Sequence, residues 1–519
     1  MALLVAALPF AGDVPVLDEE SYLFIADAVI EHPGRPYDWW RAWQPWGSEP
    51  AEHSFLFAHP PLHLWWVAFW KALTGAGWGW RLGVTLLPAV LLGVSVGRLA
   101  QHVSRRPSTA VMPWLCSPVV VMAVCAGGLP DLAVTALATA AVAAWREAQV
   151  DRDRVDARWM GAAGVLLGLA ACWKYPALVL VPVLAGHAWR RGIVKQALPA
   201  ALGFAAVWGS LEAWLALVYG QVHLLEVLAT APDIARGPFF GRGYGVLTRL
   251  GLALSPLLLI VATLWWRIGV GGLVLSVLLA LVLVGPSELT SGGVAILGVL
   301  GAAGTVWVVR AVIGVLPADS ARRRKNDRDD GFLLGAWALA VLLGVWFGHN
   351  YAGGRYLLPA IAPLALLISR TAENLPGGKN RLRVAAAAWG LVAVVLADTE
   401  TRYGSAAEQA AERAIAAHPI GRFSGEWAFR YTMEQAGWTV VTPDETLETG
   451  TLVAVPRNGG GFVGEGWQAV ETYEADDPWK VRVVELEEGV GYHAETLGPL
   501  PVGWSNGPLE AVTVYRVGP

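Results

Sequence analysis

Charge and cysteine are what this chain has least of. Only 15% of its 519 residues are charged, against roughly 25% in soluble domains, and the net charge is −4. A balance without basic excess excludes nucleic acid as the working ligand. The three cysteines, Cys116, Cys125 and Cys172, all sit in or beside apolar segments. That excludes a disulfide framework and a cysteine-rich metal site. The opening MALLVAALPFAG carries no basic leader and no A-x-A site, so it does not read as a cleaved signal peptide. It is too short to span a membrane alone, and the expectation is a first helix that extends through 14–17. No 20–50-residue repeat and no low-complexity run is present.

What the chain does have is hydrophobicity: 55% of its residues are hydrophobic and the mean hydropathy is +0.47. About 20 apolar residues suffice to cross a bilayer. Apolar segments recur at 82–100, 110–126, 131–146, 159–173, 177–189, 197–219, 246–266, 268–284, 292–316, 332–348, 356–371 and 383–398. The expected fold class is therefore an all-α polytopic membrane domain, 1–398, of about 12–13 transmembrane helices. From 399 to 519 Asp, Glu, Gly and Pro return to soluble levels. Helices are expected at 406–417 and 427–436, and strands at 452–456, 479–486 and 511–517, giving a small α/β or α+β domain. The charged run ADSARRRKNDRDD at 318–330 reads as a cytosolic linker.

Basic residues orient the spans. With the first helix running outward, twenty Arg and Lys fall in loops or span ends on the inside, against eight outside. The long loop 18–81 and the tail are thereby expected to be extracytoplasmic. Arg is used far more than Lys, and Ala, Gly and Trp abound, as in proteins of GC-rich bacteria. The expected location is the bacterial cytoplasmic membrane, with the C-terminal domain outside.

The first outer loop opens with Asp18-Glu19-Glu20-Ser21-Tyr22. Acids clustered at a membrane surface repel one another and lose solvent, which raises their pKa values and suits one of them to act as a general base; a solvated helix start is the plainer alternative. Tyr37, Trp39, Trp40, Trp43 and Trp46 follow, either as an interfacial belt or as a surface for sugar rings. Segments 20–31 and 61–73 read as interfacial helices. The glycine- and aromatic-rich loop 220–245, with Arg236 and Arg242, is either a lid or a solvated connection. Glu212 lies inside a span, where an acid is a functional candidate or simply paired.

Several elements recur in a characteristic order: Asp18-Glu19-x-x-Tyr22, then His59-Pro60-Pro61-Leu62, Leu129-Pro130-Asp131, Gly164-x-x-x-Gly168-Leu169 before Lys174-Tyr175, and Arg355-Tyr356-Leu357-Leu358-Pro359. This set resembles the bacterial relatives of the protein O-mannosyltransferases and aminoarabinose transferases, GT-C-type glycosyltransferases that use a polyprenyl-phosphate-linked sugar. The resemblance covers roughly residues 1–400. It implies a GT-C-like fold, with Asp18 as the acid that binds and deprotonates the acceptor and Glu19 as its partner. It implies that His59 and Arg355 lie on the donor-phosphate side, and that Asp131 is a second outer acid. Cations around a leaving phosphate stabilise its developing charge, which adds Lys174, unless that lysine snorkels to the interface. Arg355 alternatively anchors its helix, and His59 alternatively caps the helix that follows it. Tyr22, Tyr356, Arg236 and Arg242 are further candidate substrate contacts. The aminoarabinose transferases carry a metal-holding acid before their Pro-Pro lysine, and Ala58 stands in that place; no metal and no cofactor beyond the donor lipid is expected. The expected partners are a polyprenyl-phosphate lipid, a lipid, glycan or protein acceptor, and membrane lipids. A secondary transporter or flippase would place its polar residues at the midplane, often in repeated halves. A polysaccharide polymerase or ligase would centre on a large late loop.

Overall fold

The computed structural model describes residues 18–39, 59–125, 128–149, 154–230, 239–254, 299–303, 305–306, 309, 321–348, 353–373, 377–442, 445–475, 477–493, 497–498 and 500–518. Arg236, Trp40, Trp43, Trp46, the expected span 268–284 and most of 246–266 and 292–316 lie outside the described residues. The fold is mostly helical, with a small sheet at the C-terminal end, as the composition shift requires.

Asp18 immediately precedes α1 (Glu19–Glu31), whose apolar Tyr22, Leu23, Ile25, Ala26 and Val29 are buried. That spacing gives one sticky face, which packs on α2 (Leu62–Thr74) and buries Leu64, Val67 and Ala68. Both helices have 13 residues, about 20 Å of length, too little to cross a hydrocarbon core. Next come α3 (Trp78–Val103), α4 (Pro107–Leu115), α5 (Pro118–Cys125), α6 (Asp131–Glu147), α7 (Ala157–Trp173), a 3-10 turn at Tyr175–Val179 and α8 (Leu180–Arg191). They are followed by α9 (Leu198–Tyr219), α10 (His223–Thr230), α11 (Phe239–Leu254) and α12 (Ala321–Gly348). A 3-10 turn at Gly354–Leu357, α13 (Leu358–Glu373) and α14 (Gly378–Ala417) complete the membrane part.

Among the described residues, α3 from Gly79, α9, α12 from Arg328 and α14 are long and apolar enough to cross a membrane, and α4 with α5 adds a fifth candidate. The chain is a multi-pass membrane protein. Several expected spans are corrected in detail. Segment 110–126 is two helices bent by 60°, because Pro118 has no N–H to carry the helix through Ser117 and disfavours helical backbone in the residue before it. Segment 177–189 is a 3-10 turn followed by 12 residues of α8. The run 318–330 is not a linker throughout, since it holds the first turns of α12. Asp329 pairs with Arg190 at 2.9 Å and Asp330 with Arg146 at 2.9 Å, so its acids dock the helix end against α8 and α6. Loop 220–245 is helical at both ends, in α10 and α11.

The last expected span and the first tail helix are one element. α14 has 40 residues, about 60 Å, roughly twice the hydrocarbon thickness. No proline interrupts it, so its sequence turns polar at Asp398–Glu400 without the helix ending. Its upper half supports a five-stranded sheet of order β2-β1-β3-β9-β4. There β1 (Arg422–Phe423) pairs in parallel with β2 (Thr439–Val440) and with β3 (Leu452–Pro456), while β9 (Ala511–Arg516) runs antiparallel to β3 and to β4 (Gln468–Glu474). α15 (Trp427–Gln435) connects β1 to β2. The expected strand at 479–486 resolves into two pieces, β5 (Val481–Arg482) and β6 (Val484–Glu485), which pair with β8 (Gly503–Trp504) and β7 (Val490–Gly491) respectively. β4 was not anticipated: it is an exposed edge strand, and no apolar alternation marks it in QAVETYE.

The G-x-x-x-G pair has a packing cause. A Cβ on Gly164 would stand 1.9 Å from the Ala200 carbonyl oxygen, and one on Gly168 2.9 Å from Val207. These glycines let α7 and α9 approach backbone to backbone, as small residues do between membrane helices. Gly164→Val is expected to lower the melting temperature of the detergent-solubilised protein by several degrees or more. Gly161→Ala, whose Cβ meets only Pro199 at 4.0 Å, should leave it unchanged; thermal unfolding of the two variants checks the contrast.

Candidate active site

Four charges from four separated stretches meet at one end of the helices. Asp18 sits at the start of α1 and Arg355 in the Gly354–Leu357 turn, and an Arg355 Nη2–H donates to Asp18 Oδ2 at 2.8 Å. Asp131 opens α6 directly after Pro130, and Lys174 ends α7; the Lys174 ammonium donates to Asp131 Oδ1 at 2.7 Å. Tyr356 joins the two pairs. Its hydroxyl accepts from Arg355 at 3.0 Å. Its ring lies 4.8 Å from the Lys174 Nζ and 5.1 Å from the Arg355 Cζ, within reach for cation–π attraction. The Asp131–Lys174 pair is almost fully buried, whereas the Arg355 and Asp18 side chains keep 14% and 20% of their surface. Solvent, and so a ligand, reaches the second pair more readily than the first.

Each cation faces a carboxylate: Lys174 is buried against Asp131 rather than extended to the surface, and Arg355 is paired with Asp18. Burial opposes the charge on Arg355, but Tyr356, Asp18 and Asp131 outweigh it and hold its pKa well above the usual arginine value. The Tyr22 phenol is held well above the ordinary tyrosine range, first by burial and then by the Asp18 charge, so it stays protonated beside the cluster. The His59 ring stacks on Tyr22, with centroids 6.4 Å apart, and lies within electrostatic range of Asp131. The His59 carbonyl accepts from the Tyr37 hydroxyl at 2.8 Å, which fixes the chain just before Pro60-Pro61.

Glu19 departs from its expected role. It points away from Asp18, fully buried, with Oε2 2.6 Å from Arg81 Nη2 and Oε1 accepting from the Gly128 N–H at 2.8 Å. It therefore ties α1 to α3 and to the turn that delivers Asp131, and it positions both acids without joining them. Successive helical residues diverge by about 100°, and the Glu19 carboxylate is engaged by Arg81 and the Gly128 amide while that of Asp18 is engaged by Arg355. His63 performs a similar task. Trp173 Nε1–H donates to its Nδ1 at 3.1 Å, so Nε2–H donates to the Gly128 carbonyl at 3.0 Å. Burial holds its pKa down to about 3, so the ring is neutral, with Tyr22 edge-on at 4.6 Å. Arg81 and His63 were not singled out in the sequence, where they look like an interfacial charge and one more histidine.

Glu212 is paired: it accepts from the Tyr175 hydroxyl at 2.6 Å and from the Leu224 N–H at 3.2 Å. Arg242 is buried in α11. Among the described residues no group of three His, Cys, Asp or Glu side chains is placed to hold a metal.

The buried pair sets a stability test. Removing one partner of such a pair strands the other, at a cost of about 3–5 kcal/mol. Lys174→Met should therefore unfold the protein at markedly lower temperature, and adding Asp131→Asn to it should recover most of the loss. Full additivity of the two substitutions in thermal unfolding would mean the pair does not form.

No protein-family model matches the chain, and no curated protein matches it. Among solved structures the chain is similar to the ArnT of Cupriavidus metallidurans. The crystal structure bound to undecaprenyl phosphate has 14% identity and a TM-score of 0.42, covering 88% of this chain and 91% of that one. The apo-state structure has 15% identity and a TM-score of 0.39, covering 88% and 92%. The chain is also similar to the oligosaccharyltransferase of Archaeoglobus fulgidus, solved tethered to an acceptor peptide containing the NVT sequon, with 14% identity and a TM-score of 0.48 over 85% of this chain and 64% of that one. Both proteins are GT-C glycosyltransferases.

Proposed function

We propose that this protein is a glycosyltransferase of the bacterial cytoplasmic membrane. It moves a sugar from a polyprenyl-phosphate donor to a lipid, glycan or protein acceptor at the extracytoplasmic face, with inversion at the anomeric carbon. The observation that carries the proposal is the ion pair between Asp18 and Arg355, which are 337 positions apart in the chain. It puts a candidate base and a candidate phosphate ligand in contact at a partly open site.

The chemistry follows from the groups present. The acceptor oxygen attacks the anomeric carbon as the bond from that carbon to the phosphate oxygen breaks. Asp18 takes the acceptor proton, and the electron pair of the broken bond leaves on the polyprenyl phosphate. Arg355 offers the leaving phosphate a planar fork of donors, Lys174 a point charge, and His59 a donor from one ring nitrogen. A donor phosphate competes with Asp18 for Arg355, so donor binding frees the carboxylate to act as base. The proton acceptor is thus exposed only when there is a sugar to transfer. The donor lipid and the acceptor are the two substrates, and the steps described call on no cofactor.

Sidedness rests on charge and geometry together. Asp131 and Arg146 stand at opposite ends of α6, about 22 Å apart along its axis. The tail packs at the Asp131 end, where residues 353 and 354 meet residues 492 and 493. A phosphatase fused after residue 519 should be active in cells and a GFP fusion dark; the reverse would put the site in the cytoplasm. In nanodiscs, Asp18→Asn should lower the transfer rate by roughly 10²–10⁴-fold without loss of folded protein. Arg355→Lys should keep charge but lose the fork, weakening donor use about tenfold. Near-normal turnover by Asp18→Asn would remove it as the base.

A further inference from the structure

We propose that the C-terminal domain completes the donor site, and that Arg249 is a positioning residue for Arg355. This deepens the sugar-transfer reading and rests on it for the role of Arg355.

The turn that carries Arg355 is held by the tail as well as by its own helix, where the Leu358 N–H donates to the Arg355 carbonyl. The Gly354 N–H donates to the Tyr492 carbonyl at 2.8 Å. The approach is as close as backbone allows: a Cβ on Gly353 would stand 1.7 Å from the His493 carbonyl oxygen, and one on Gly354 3.0 Å from the Tyr492 ring. No other residue type fits Gly353 without moving one chain or the other.

The tail segment is held by backbone bonds from Tyr492 to Val483 and from Gly491 to Leu500 and by one buried guanidinium. Arg249, from α11, is 1% exposed. Its Nε–H donates to the same Tyr492 carbonyl at 3.2 Å, and its Nη2 donates to the carbonyls of Gly491 and, at 3.2 Å, Gly498. Both lone pairs of the Tyr492 oxygen are thus used, one by Arg249 and one by the arginine-bearing turn. A guanidinium suits this task because it presents several donors in one plane. On the other side, His493 Nε2 stands 2.5 Å from Glu400 Oε1 on α14, and Tyr492 packs with Val121, Leu252 and Leu396. The path from Arg249 to Arg355 is therefore one carbonyl and one peptide N–H.

The same domain reaches the other half of the ion pair. Trp427 opens α15 with φ of 64°, a backbone setting that costs a bulky residue energy and persists only where its surroundings enforce it. It stacks edge-on against Tyr403 of α14 at 6.4 Å, and with Tyr431 it packs against the cluster formed by Tyr22, Leu23 and Ala26 of α1. The tail thus buttresses the helix that follows Asp18 as well as the turn that bears Arg355, and α14 is the common post. A domain that only displayed an acceptor site would need neither contact.

The test is a double-mutant cycle on binding of undecaprenyl phosphate to the full-length protein in nanodiscs, measured on monodisperse material. Arg249→Lys keeps the charge but loses the planar donors. Gly354→Ala asks the Tyr492 ring and its carbonyl oxygen, at 3.0 and 3.1 Å, to yield by a few tenths of an ångström, and it keeps the Arg249 side chain. Each should weaken binding, Arg249→Lys by about tenfold, a coupling of the size found between residues sharing a partner. Neither should weaken it further in an Arg355→Ala background. Equal loss with and without Arg355 overturns the inference, because it marks a general structural effect. Unchanged binding by both variants, with loss by Arg355→Ala, overturns it while leaving the proposed function standing. Unchanged binding by Arg355→Ala itself instead removes the phosphate role of that residue. If Arg249→Lys yields no monodisperse protein, the Gly354→Ala cycle decides alone.

Discussion

Opposite charges withdrawn from water set the terms for this end of the molecule. A single carboxylate or guanidinium withdrawn from water costs several kcal/mol, and its partner repays that only with good geometry and further hydrogen bonds. In the Asp18–Arg355 pair the Tyr356 hydroxyl adds a further hydrogen bond to the arginine. The Asp131–Lys174 pair is more deeply buried, with the Tyr356 ring beside its ammonium. Two acids balanced by two bases leave the cluster neutral overall, so it persists in a partly apolar site. A donor phosphodiester carries one negative charge, as a carboxylate does, and the leaving phosphate gains a second as the bond to the sugar breaks, which is the charge that arginine and lysine are placed to stabilise.

The surrounding structure holds these charges against their alternatives. Glu19 and Arg81 lock α1 to α3, and Glu19 also holds the Gly128 amide in the turn before Asp131. His63 bridges the same turn to Trp173, the residue before Lys174. One turn is therefore gripped from two directions, each grip tied to a different member of the cluster. Pre-set geometry of this sort spares the reorganisation that would otherwise slow charge transfer. On the opposite flank the Tyr492–His493 segment fixes the Arg355 turn, so membrane helices and soluble domain share one polar framework.

Much of this was legible in the sequence because it follows from local rules. The apolar runs announced membrane helices, and the resemblance carried by the motifs around Asp18, His59, Asp131, Lys174 and Arg355 implied a shared site. The short helices at 19–31 and 62–74 showed in their aromatic, amphipathic faces. What escaped was set by tertiary contact. Nothing next to Glu19 in the chain indicates that it turns toward Arg81, because the direction follows from its phase on a helix whose partner lies 62 residues away. Arg249 was not singled out, since three of its four carbonyl partners come from the tail and only Gly245 from its own helix. β4 was missed because an edge strand facing water needs no apolar alternation. The bend at Ser117 was written in Pro118 but masked by unbroken hydropathy, and the continuity of α14 was hidden by the change from apolar to polar residues along a helix that does not stop.

The central claim is that Arg355 exchanges a carboxylate for a phosphate when the donor binds. A cryo-electron-microscopy structure of the protein in nanodiscs saturated with undecaprenyl phosphate tests this most directly. The account predicts phosphate density within hydrogen-bonding distance of the Arg355 guanidinium and near Lys174, with the Asp18 carboxylate released from the arginine and open to the cavity. Phosphate bound elsewhere, with the 2.8 Å Asp18–Arg355 contact intact, would contradict it.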